Sequence, residues 1–380
     1  MDFTLTDDQE AIARLADTIL GEQCAPSALR ALEAGPQVFA AGAWKALAEA
    51  DLLGLAVPEA HGGSGLGLVE AALVAEKVGR HVAPVPYWTS TAAALAVARW
   101  GDDAQRAERL PGVADGSAPL AVAAWGPAAT SRSDGTPAVR AARTSGAGAA
   151  AGWAVHGTLG PVPWAGSAAA LVVPAAADDG PGLFLVDPAG PGVTRTDERT
   201  LNLEPAQTLV LDGAPAERLG AAGDDAAGWA ARRTRILLVA TALGVCEGAL
   251  ALTAAYVSER QQFGSPIGTF QAVAHRCADA YVDTEAVRLT TLQALWRLDQ
   301  DDDAAAGAED AVAVAAFWAT DGGHRVVHAA QHLHGGIGLD VDYPIHRYFR
   351  WEKVLEALLG GPRVALARLG ASLAAGTGPG

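Results

Sequence analysis

Cysteine and basic residues are both scarce in this chain of 380 residues. The three cysteines, Cys24, Cys246 and Cys277, are odd in number and far apart, so neither a disulfide framework nor zinc-site spacing is present. Lys and Arg number 27 against 43 Asp and Glu, and the net charge of −16 provides no basic field for nucleic acid. We therefore expect a protein of the reducing cytoplasm that binds no nucleic acid.

Targeting signals and long apolar runs are also missing from the sequence. The first fifteen residues contain no basic segment followed by an apolar one, so no signal peptide is predicted. The longest apolar run, residues 236–246, falls short of the roughly 18 residues that a membrane-spanning helix needs. We interpret this run as part of a buried helix, and we expect no membrane partner.

The residue pattern changes twice along the chain. Residues 1–118 place apolar side chains at helical spacing, apart from a glycine-rich loop at 54–67. Residues 119–222 form short β-rich runs between Gly, Pro and Asp, joined in part by an Ala/Gly/Ser-rich connection at 131–153. Residues 223–380 return to long helical patterns joined by short loops. We predict an α+β multidomain protein, with an N-terminal α-helical domain, a middle antiparallel β-barrel domain and a C-terminal four-helix bundle within these bounds.

Four histidines fall within eleven residues near the end of the third long helix. His324, His328 and His332 recur every four residues and so share one helical face. The outer two lie roughly 12 Å apart at a rise of 1.5 Å per residue, and no carboxylate or cysteine in the helix completes a metal site. Histidines packed at a helix or subunit contact are the favoured interpretation, and no metal is expected.

Two glycine-containing turns suggest a different kind of site. The histidine-bearing helix ends at the glycine pair 335–336, where the backbone can turn left-handed and approach a ligand. A second turn, residues 263–264, lies between a helix that ends at Arg260 and a helix that starts at Gln271. Arg260 could bind a phosphate, Phe263 could cover an aromatic ring and Gln271 could bond a base edge. A helix cap followed by a Gly/Pro turn explains the second stretch equally well.

On these motifs the chain resembles the acyl-CoA dehydrogenase family over nearly its full length. RQQFGSPIGTFQ is close to the family's R-x-x-F-G-x-x-I-x-x-F-Q, and HLHGGIGLDVDYPIHRYFR is similar to its glycine turn and the segment that follows. PEAHGGSG resembles the family's P-x-x-Y-G-G-x-G, with His61 in place of Tyr. The resemblance implies a flavoprotein that uses FAD for α,β-dehydrogenation of an acyl-CoA and passes electrons to an electron-transfer acceptor.

The resemblance also implies which residues hold the cofactor. FAD would be bound across a dimer within a tetramer, and this chain would reach the pyrophosphate and adenine of the neighbouring subunit's flavin. The matching residues are Arg260, Gln262, Phe263, Gln271, Gln331 or His332, Gly335 and Gly336. The family's Gln stands three residues before the first Gly, which is His332 here, so Gln331 and His332 are both candidates.

The catalytic base of the family has no counterpart at either of its usual positions. The Glu of the family's I-Y-E-G-T motif aligns with Leu359, and the alternative position before an Arg aligns with Thr234. The catalytic residue is therefore left unassigned. Glu352 and Glu356 are candidate replacements, although a pair of surface glutamates is the favoured interpretation, and Glu247 is expected on a solvated helix face.

The residues around the flavin ring also depart from the family. Its T-E-P strand aligns with residues 125–127 and its W-I-T-N segment aligns roughly with 161–164, so both ring-contacting threonines are lost. The residues that match the family's adenine-side contacts are kept, whereas the flavin-ring contacts and the catalytic base are lost. In this the chain resembles the base-less subunit of heteromeric α2β2 bacterial enzymes of lipid or sterol metabolism. A homologous partner subunit would supply the base. A self-sufficient homotetramer with a relocated base and a non-catalytic scaffold are the alternatives.

Overall fold

The structure, a computed structural model, describes residues 3–123, 138–144, 152–300 and 305–374. The chain divides into two compact units that interleave in sequence. The helical unit comprises residues 1–36, 72–84 and 235–380, and the barrel unit comprises residues 37–71 and 85–234. The predicted order of helices, β-structure and helices is confirmed, whereas the predicted domain bounds at 118 and 222 stay predictions.

Six helices precede the sheet. They are α1 (Asp7–Gln23), α2 (Pro26–Glu33), α3 (Ala41–Glu49), α4 (Leu68–Arg80), α5 (Tyr87–Trp100) and α6 (Asp103–Ala114). Local sequence explains two of the starts: Thr6 forms a capping box with Gln9, and Asp102 forms one with Gln105. In the predicted loop at 54–67, a Cβ on Gly63 would lie 2.1 Å from the Val57 carbonyl oxygen, so this tight turn requires glycine.

Seven strands form the sheet within the described residues of the barrel unit. They are β1 (Ala121–Val122), β2 (Val139–Arg143), β3 (Trp153–Pro163), β4 (Leu171–Ala177), β5 (Gly180–Val186), β6 (Val193–Arg199) and β7 (Pro205–Leu219). The pairings β4–β2–β3–β7–β5–β4 close a ring, so the predicted barrel is confirmed. Most of the described pairings are antiparallel, as predicted. In addition, β4 pairs parallel with both β2 and β1. Most of the predicted connection at 131–153 lies outside the described residues.

The C-terminal helices are α7 (Ala226–Glu259), α8 (Gln271–Gln300), α9 (Ala305–His334), α10 (Ile345–Leu359) and α11 (Gly361–Ala374). By length and apolar composition α7 could cross a membrane, but 83% of its most apolar window is buried within the protein. Glycines let α4 and α7 approach each other: a Cβ on Gly244 would lie 1.8 Å from the Glu76 carbonyl oxygen, and one on Gly79 would lie 1.9 Å from that of Thr241. The interpretation of this run as a buried helix is confirmed.

Candidate functional site

The turn at 263–264 is a two-residue β-hairpin loop of the helical unit. It joins β8 (Gln261–Gln262) to β9 (Ser265–Pro266), and its φ angles are 53° at Phe263 and 80° at Gly264. Left-handed backbone at both positions is the type I′ geometry that matches strand twist, and it is costly for a bulky aromatic residue. The Phe263 side chain is nevertheless 94% exposed. An aromatic ring held in solvent by strained backbone indicates a binding role.

Arg260 connects α7 to this hairpin and offers an unpaired cation. Its backbone is fixed on both sides, since its N–H donates to the Tyr256 carbonyl and its carbonyl accepts from the Ile267 N–H, both at 2.8 Å. The guanidinium is exposed and makes no hydrogen bond or ion pair within the described part of the chain. A free guanidinium on a chain of net charge −16 is available for bidentate binding of a phosphate.

The glycine turn at the end of α9 leaves open space above its backbone. Gly335 has the predicted left-handed conformation, with φ at 60°, and begins a short 3-10 helix that ends at Leu339. A Cβ added to Gly335 or Gly336 would meet no atom within 4 Å. Packing within the chain therefore does not require glycine at position 336. Close approach of a ligand or of another chain to this backbone would require it.

The structure distinguishes between Gln331 and His332, the two candidate ligand-binding residues that precede this turn. The Gln331 amide donates to the Gly338 carbonyl, so this side chain ties the turn together from within. His332 is exposed and makes no hydrogen bond or ion pair with any residue that the structure describes. Of the two, His332 is the side chain available to a ligand, which agrees with its place in the motif.

A cluster of three aromatic rings, not anticipated from the sequence, brings the two turns together. The Tyr256 ring stacks on the imidazole of His334 with centroids 4.5 Å apart, and the Tyr343 ring lies 5.2 Å from the same imidazole. Tyr256 is one helical turn before Arg260, and His334 directly precedes Gly335. The predicted residues from both motifs therefore lie at one end of the bundle.

The remaining predicted residues lie on the same hairpin and the adjoining helix. The Gln262 amide donates to the Gln261 carbonyl at 2.8 Å, and the Phe270 ring lies 6.2 Å from that of Phe263. Gln271 is exposed at the first position of α8. We call this set the turn surface: Arg260, Gln262, Phe263, Gln271, His332, Gly335 and Gly336.

Neither of the two positions where the family carries its catalytic base holds an acidic residue in this chain. Leu359, the last residue of α10, is buried, and left-handed Gly360 caps the helix. Thr234 is buried in α7, where its hydroxyl donates to the Ala230 carbonyl at 2.8 Å.

The interpretation of Glu352 as a surface residue was wrong. Its side chain is fully buried against α9, where a Cβ on Gly323 would lie 2.5 Å from the carboxyl oxygen Oε1. Burial raises the pKa of Glu352 well above its ordinary value, and neither oxygen has a hydrogen-bond partner among the described residues. Glu352 is therefore a core residue, not a surface one.

Glu356 is partly exposed but ion-paired. Its carboxylate lies 2.9 Å from the Lys353 ammonium and 3.3 Å from Nδ1 of His324. Burial alone would raise the pKa of Glu356, but the hydrogen bonds from Lys353 and His324 outweigh it and lower the pKa. A carboxylate stabilised in this way is a weak base.

The prediction that Glu247 lies on a solvated helix face was also wrong. The side chain is buried, and it forms ion pairs with Arg288 at 2.5 Å and Arg80 at 3.4 Å. These partners come from α8 and α4, so Glu247 joins three helices of the helical unit.

Two of the helical-face histidines are packed together. The rings of His324 and His328 stack with centroids 4.2 Å apart, and the Lys353 ammonium lies 2.6 Å from Nδ1 of His324. In the described ranges no three His, Cys, Asp or Glu side chains are arranged to hold a metal ion. The absence of a bound metal stays a prediction.

The expected flavin-ring contacts fall in the barrel unit. Residues 125–127 lie outside the described residues, and 161–164 form the end of β3 and the turn after it without a side-chain hydroxyl. Glu204 was not anticipated from the sequence: it is a buried carboxyl next to the start of β7 that accepts from the Asn202 amide at 2.7 Å. Burial raises the pKa of Glu204 to about 7, in the range of a general acid or base, although the side chain is buried.

Comparisons with known proteins support the family resemblance that the two motifs indicate. The family model described as acyl-CoA dehydrogenase, N-terminal domain, matches residues 6–117, and the one described as acyl-CoA dehydrogenase, C-terminal domain, matches residues 222–374. Acyl-CoA dehydrogenase FadE27 of Mycobacterium tuberculosis is 39% identical over 382 residues, which cover 98% of this chain and 99% of that protein.

Solved structures show the same fold at similar identity. A chain of the Tcur3481-Tcur3483 steroid ACAD variant is 44% identical, with a TM-score of 0.90 over 98% of this chain and 99% of that one. A chain of the ChsE4-ChsE5 complex from Mycobacterium tuberculosis is 39% identical, again with a TM-score of 0.90 over 98% of this chain and 99% of that one.

Proposed function

Since this chain belongs to the acyl-CoA dehydrogenase family, an FAD-dependent family of oxidoreductases, we propose that it works as the base-less subunit of a heterotetramer. A homologous partner subunit supplies the catalytic base and the contacts to the flavin ring. This chain supplies the adenine-side half of the cofactor site. The assembled enzyme dehydrogenates the α,β-bond of an acyl-CoA thioester.

The observation that carries the proposal is an asymmetry between two sets of residues. The turn surface keeps an unpaired guanidinium at Arg260, an exposed ring at Phe263 and open backbone at Gly336. The positions of the base hold Leu359 and Thr234, both buried. Strained backbone at an exposed Phe263 costs stability, and a chain without any function would not be expected to retain it.

The residues of the turn surface fit FAD. The Arg260 guanidinium would pair with the pyrophosphate, and Phe263 with His332 would flank the adenine. The open backbone at residues 335–336 would allow the dinucleotide to approach closely. When bound, FAD supplies the acceptor for the β-hydrogen, and the residues of this chain orient and retain it.

The relatives suggest the substrate class and the setting. Two similar solved structures are named as a steroid ACAD and as the ChsE4-ChsE5 complex, which supports a steroid-derived acyl-CoA as substrate and a heteromeric assembly. We propose that the complex works in the cytoplasm as a tetramer and passes its electrons to a separate electron-transfer acceptor.

The experiment that tests this function compares the chain alone with the chain co-expressed with a base-carrying family member encoded beside it. Absorbance between 350 and 500 nm and native mass are measured for both. We expect a colourless or weakly yellow protein alone, and a yellow α2β2 species with acyl-CoA dehydrogenase activity for the pair. A fully yellow, active homotetramer of this chain alone would show that the chain completes its own site and that the proposal is wrong.

A further inference from the structure

The loop that contains the glycine turn presents large apolar side chains to solvent. Leu339 is 81% exposed and Val341 is 71% exposed, and Ile337 on the same loop is also exposed. Leu339 ends the short 3-10 helix that begins at Gly335, and Val341 lies between that helix and α10. Single exposed apolar side chains are ordinary, but several on one short loop indicate a contact surface. We call Leu339 and Val341 the loop anchor.

Contacts within the helical unit order this loop. The Gln331 amide donates to the Gly338 carbonyl, and the Asp342 N–H donates to the Asp340 carboxylate at 2.9 Å. Arg30 of α2 fixes the far end, because its guanidinium donates to the Asp342 carbonyl at 2.6 Å and pairs with the Asp342 carboxylate at 3.2 Å. A loop that is already ordered loses little conformational entropy on binding, which suits it to anchor another chain.

The loop anchor is continuous with the turn surface. It lies on the same loop as Gly335 and Gly336, and the Tyr343 ring that follows it packs 5.2 Å from the imidazole of His334. Under the proposed function FAD joins the turn surface to the ring-side half that the partner subunit supplies, so the partner's surface must reach this end of the bundle. A dinucleotide takes cations and hydrogen-bond donors, whereas aliphatic side chains fit an apolar pocket of a protein.

The charge beside the loop anchor favours a different chain over a second copy of this one. Asp340 stands between Leu339 and Val341 and forms no ion pair within the described ranges. The chain as a whole has a net charge of −16, so two copies that met at this loop would repel each other. A partner with basic residues around an apolar pocket would instead complement the loop.

We propose that Leu339 and Val341 anchor this chain to the partner subunit by inserting into an apolar pocket of the partner. The proposal rests on the proposed function, because that function provides the second, homologous chain. It specifies what the partner must present: an apolar pocket beside the adenine end of the shared FAD, with basic residues at its rim. Because the same loop carries Gly335 and Gly336, docking of the partner also holds the backbone that FAD approaches.

The test uses the purified α2β2 complex and its dissociation constant at low and high salt. Leu339→Ser with Val341→Ser is expected to weaken assembly at least tenfold, by the same factor at both salt concentrations, because the lost contact is apolar. Both side chains are exposed, so the double variant should fold. Arg30→Ala loosens the loop but keeps its apolar side chains, and a smaller loss is expected. Leu373→Ser, at an exposed leucine of α11, is the matched control and should leave assembly unchanged.

Other results would overturn the loop anchor in recognisable ways. An unchanged dissociation constant in a correctly folded double variant shows that the partner does not contact this loop, and an equal loss in Leu373→Ser shows that the effect is not specific to it. A dimer of this chain alone that the double variant dissociates would identify a second copy as the occupant. If the wild-type chains form no complex at all, the proposed function fails as well, which distinguishes that failure from one confined to the loop anchor.

Discussion

The ring of Tyr256 on α7 stacks on the imidazole of His334 on α9, with planes inclined by only 21°. His334 is buried, and its Nδ1–H donates to the Ala330 carbonyl at 2.8 Å. Burial lowers the pKa of His334, which keeps the imidazole neutral and suited to stacking. This contact holds the Arg260 turn against the glycine turn, so it determines the geometry of the turn surface without touching a ligand itself.

Replacing Tyr256 by Ala should therefore weaken FAD binding in the assembled enzyme. An aromatic pair contributes about 1 kcal/mol beyond burial, so we expect a loss of affinity of roughly fivefold, measured by flavin release into dilute buffer. Tyr256→Phe keeps the ring and should bind FAD like the wild type. Equal losses in both variants would instead assign the effect to the hydroxyl group.

Arg260→Ala should release flavin from the heterotetramer faster. A charge-assisted hydrogen bond to phosphate contributes on the order of 1.5 to 3 kcal/mol, which corresponds to a loss of affinity of more than tenfold. Arg260→Lys should recover only part of it, since an ammonium cannot bind bidentately. Arg14→Ala, at an exposed arginine paired with Glu10, is the control. An unchanged flavin off-rate in Arg260→Ala would show that Arg260 only connects α7 to the hairpin and does not bind FAD.

Glu356→Gln should leave turnover of the assembled enzyme within about twofold of the wild type. Loss of a true general base costs roughly 10²- to 10⁴-fold in rate, whereas Glu356 is held by Lys353 with a lowered pKa. Steady-state kinetics with a saturating acyl-CoA measure the difference. A hundredfold drop in kcat with an intact flavin spectrum would identify Glu356 as a relocated base and favour the self-sufficient enzyme.

Features set by neighbouring residues were predicted well from the sequence. The turn at 263–264 and the left-handed residue at 335 depend on local backbone geometry, which the glycines in these motifs indicate directly. The long helices and the barrel followed from periodicity.

Features set by distant residues could not be predicted. The burial of Glu352 depends on Gly323 in another helix, and the ion pairs of Glu247 depend on Arg80, 167 residues earlier. The parallel pairing of β4 depends on which side of β2 it reaches, which no residue in β4 specifies. The choice between Gln331 and His332 likewise needed the contact between Gln331 and Gly338.

Arg347 and Glu33 form a partly buried bidentate ion pair that ties α10 to α2, with N–O distances of 2.8 and 2.7 Å. The Arg347 side chain is only 3% exposed. Glu33→Gln would leave this guanidinium buried without a counter-charge, so we expect the free energy of unfolding to fall by about 3 to 5 kcal/mol. Asp342→Asn breaks the exposed Arg30–Asp342 pair and should cost less than about 1 kcal/mol. Urea unfolding of both variants measures the contrast, and equal effects would contradict it.

Glu204 should make the protein less stable as pH rises towards neutrality. Burial raises the pKa of Glu204 to about 7, so the folded chain keeps a proton that the unfolded chain releases near its ordinary pKa. The stabilisation is thus fully present below that ordinary pKa and is lost as pH rises through about 7. Over that window the loss amounts to roughly 3 kcal/mol.

Glu204→Gln keeps an oxygen to accept from Asn202 and removes the titration. We expect the variant to match the wild type near pH 4.5 and to exceed its free energy of unfolding by roughly 2 to 3 kcal/mol at pH 8, by denaturant unfolding at both pH values. Asp197→Asn, at an exposed carboxylate of the same unit, should show no such divergence. A difference between Glu204→Gln and wild type that is the same at both pH values would mean that Glu204 is already ionised in the folded protein, because only a proton held by the folded chain makes the difference grow with pH.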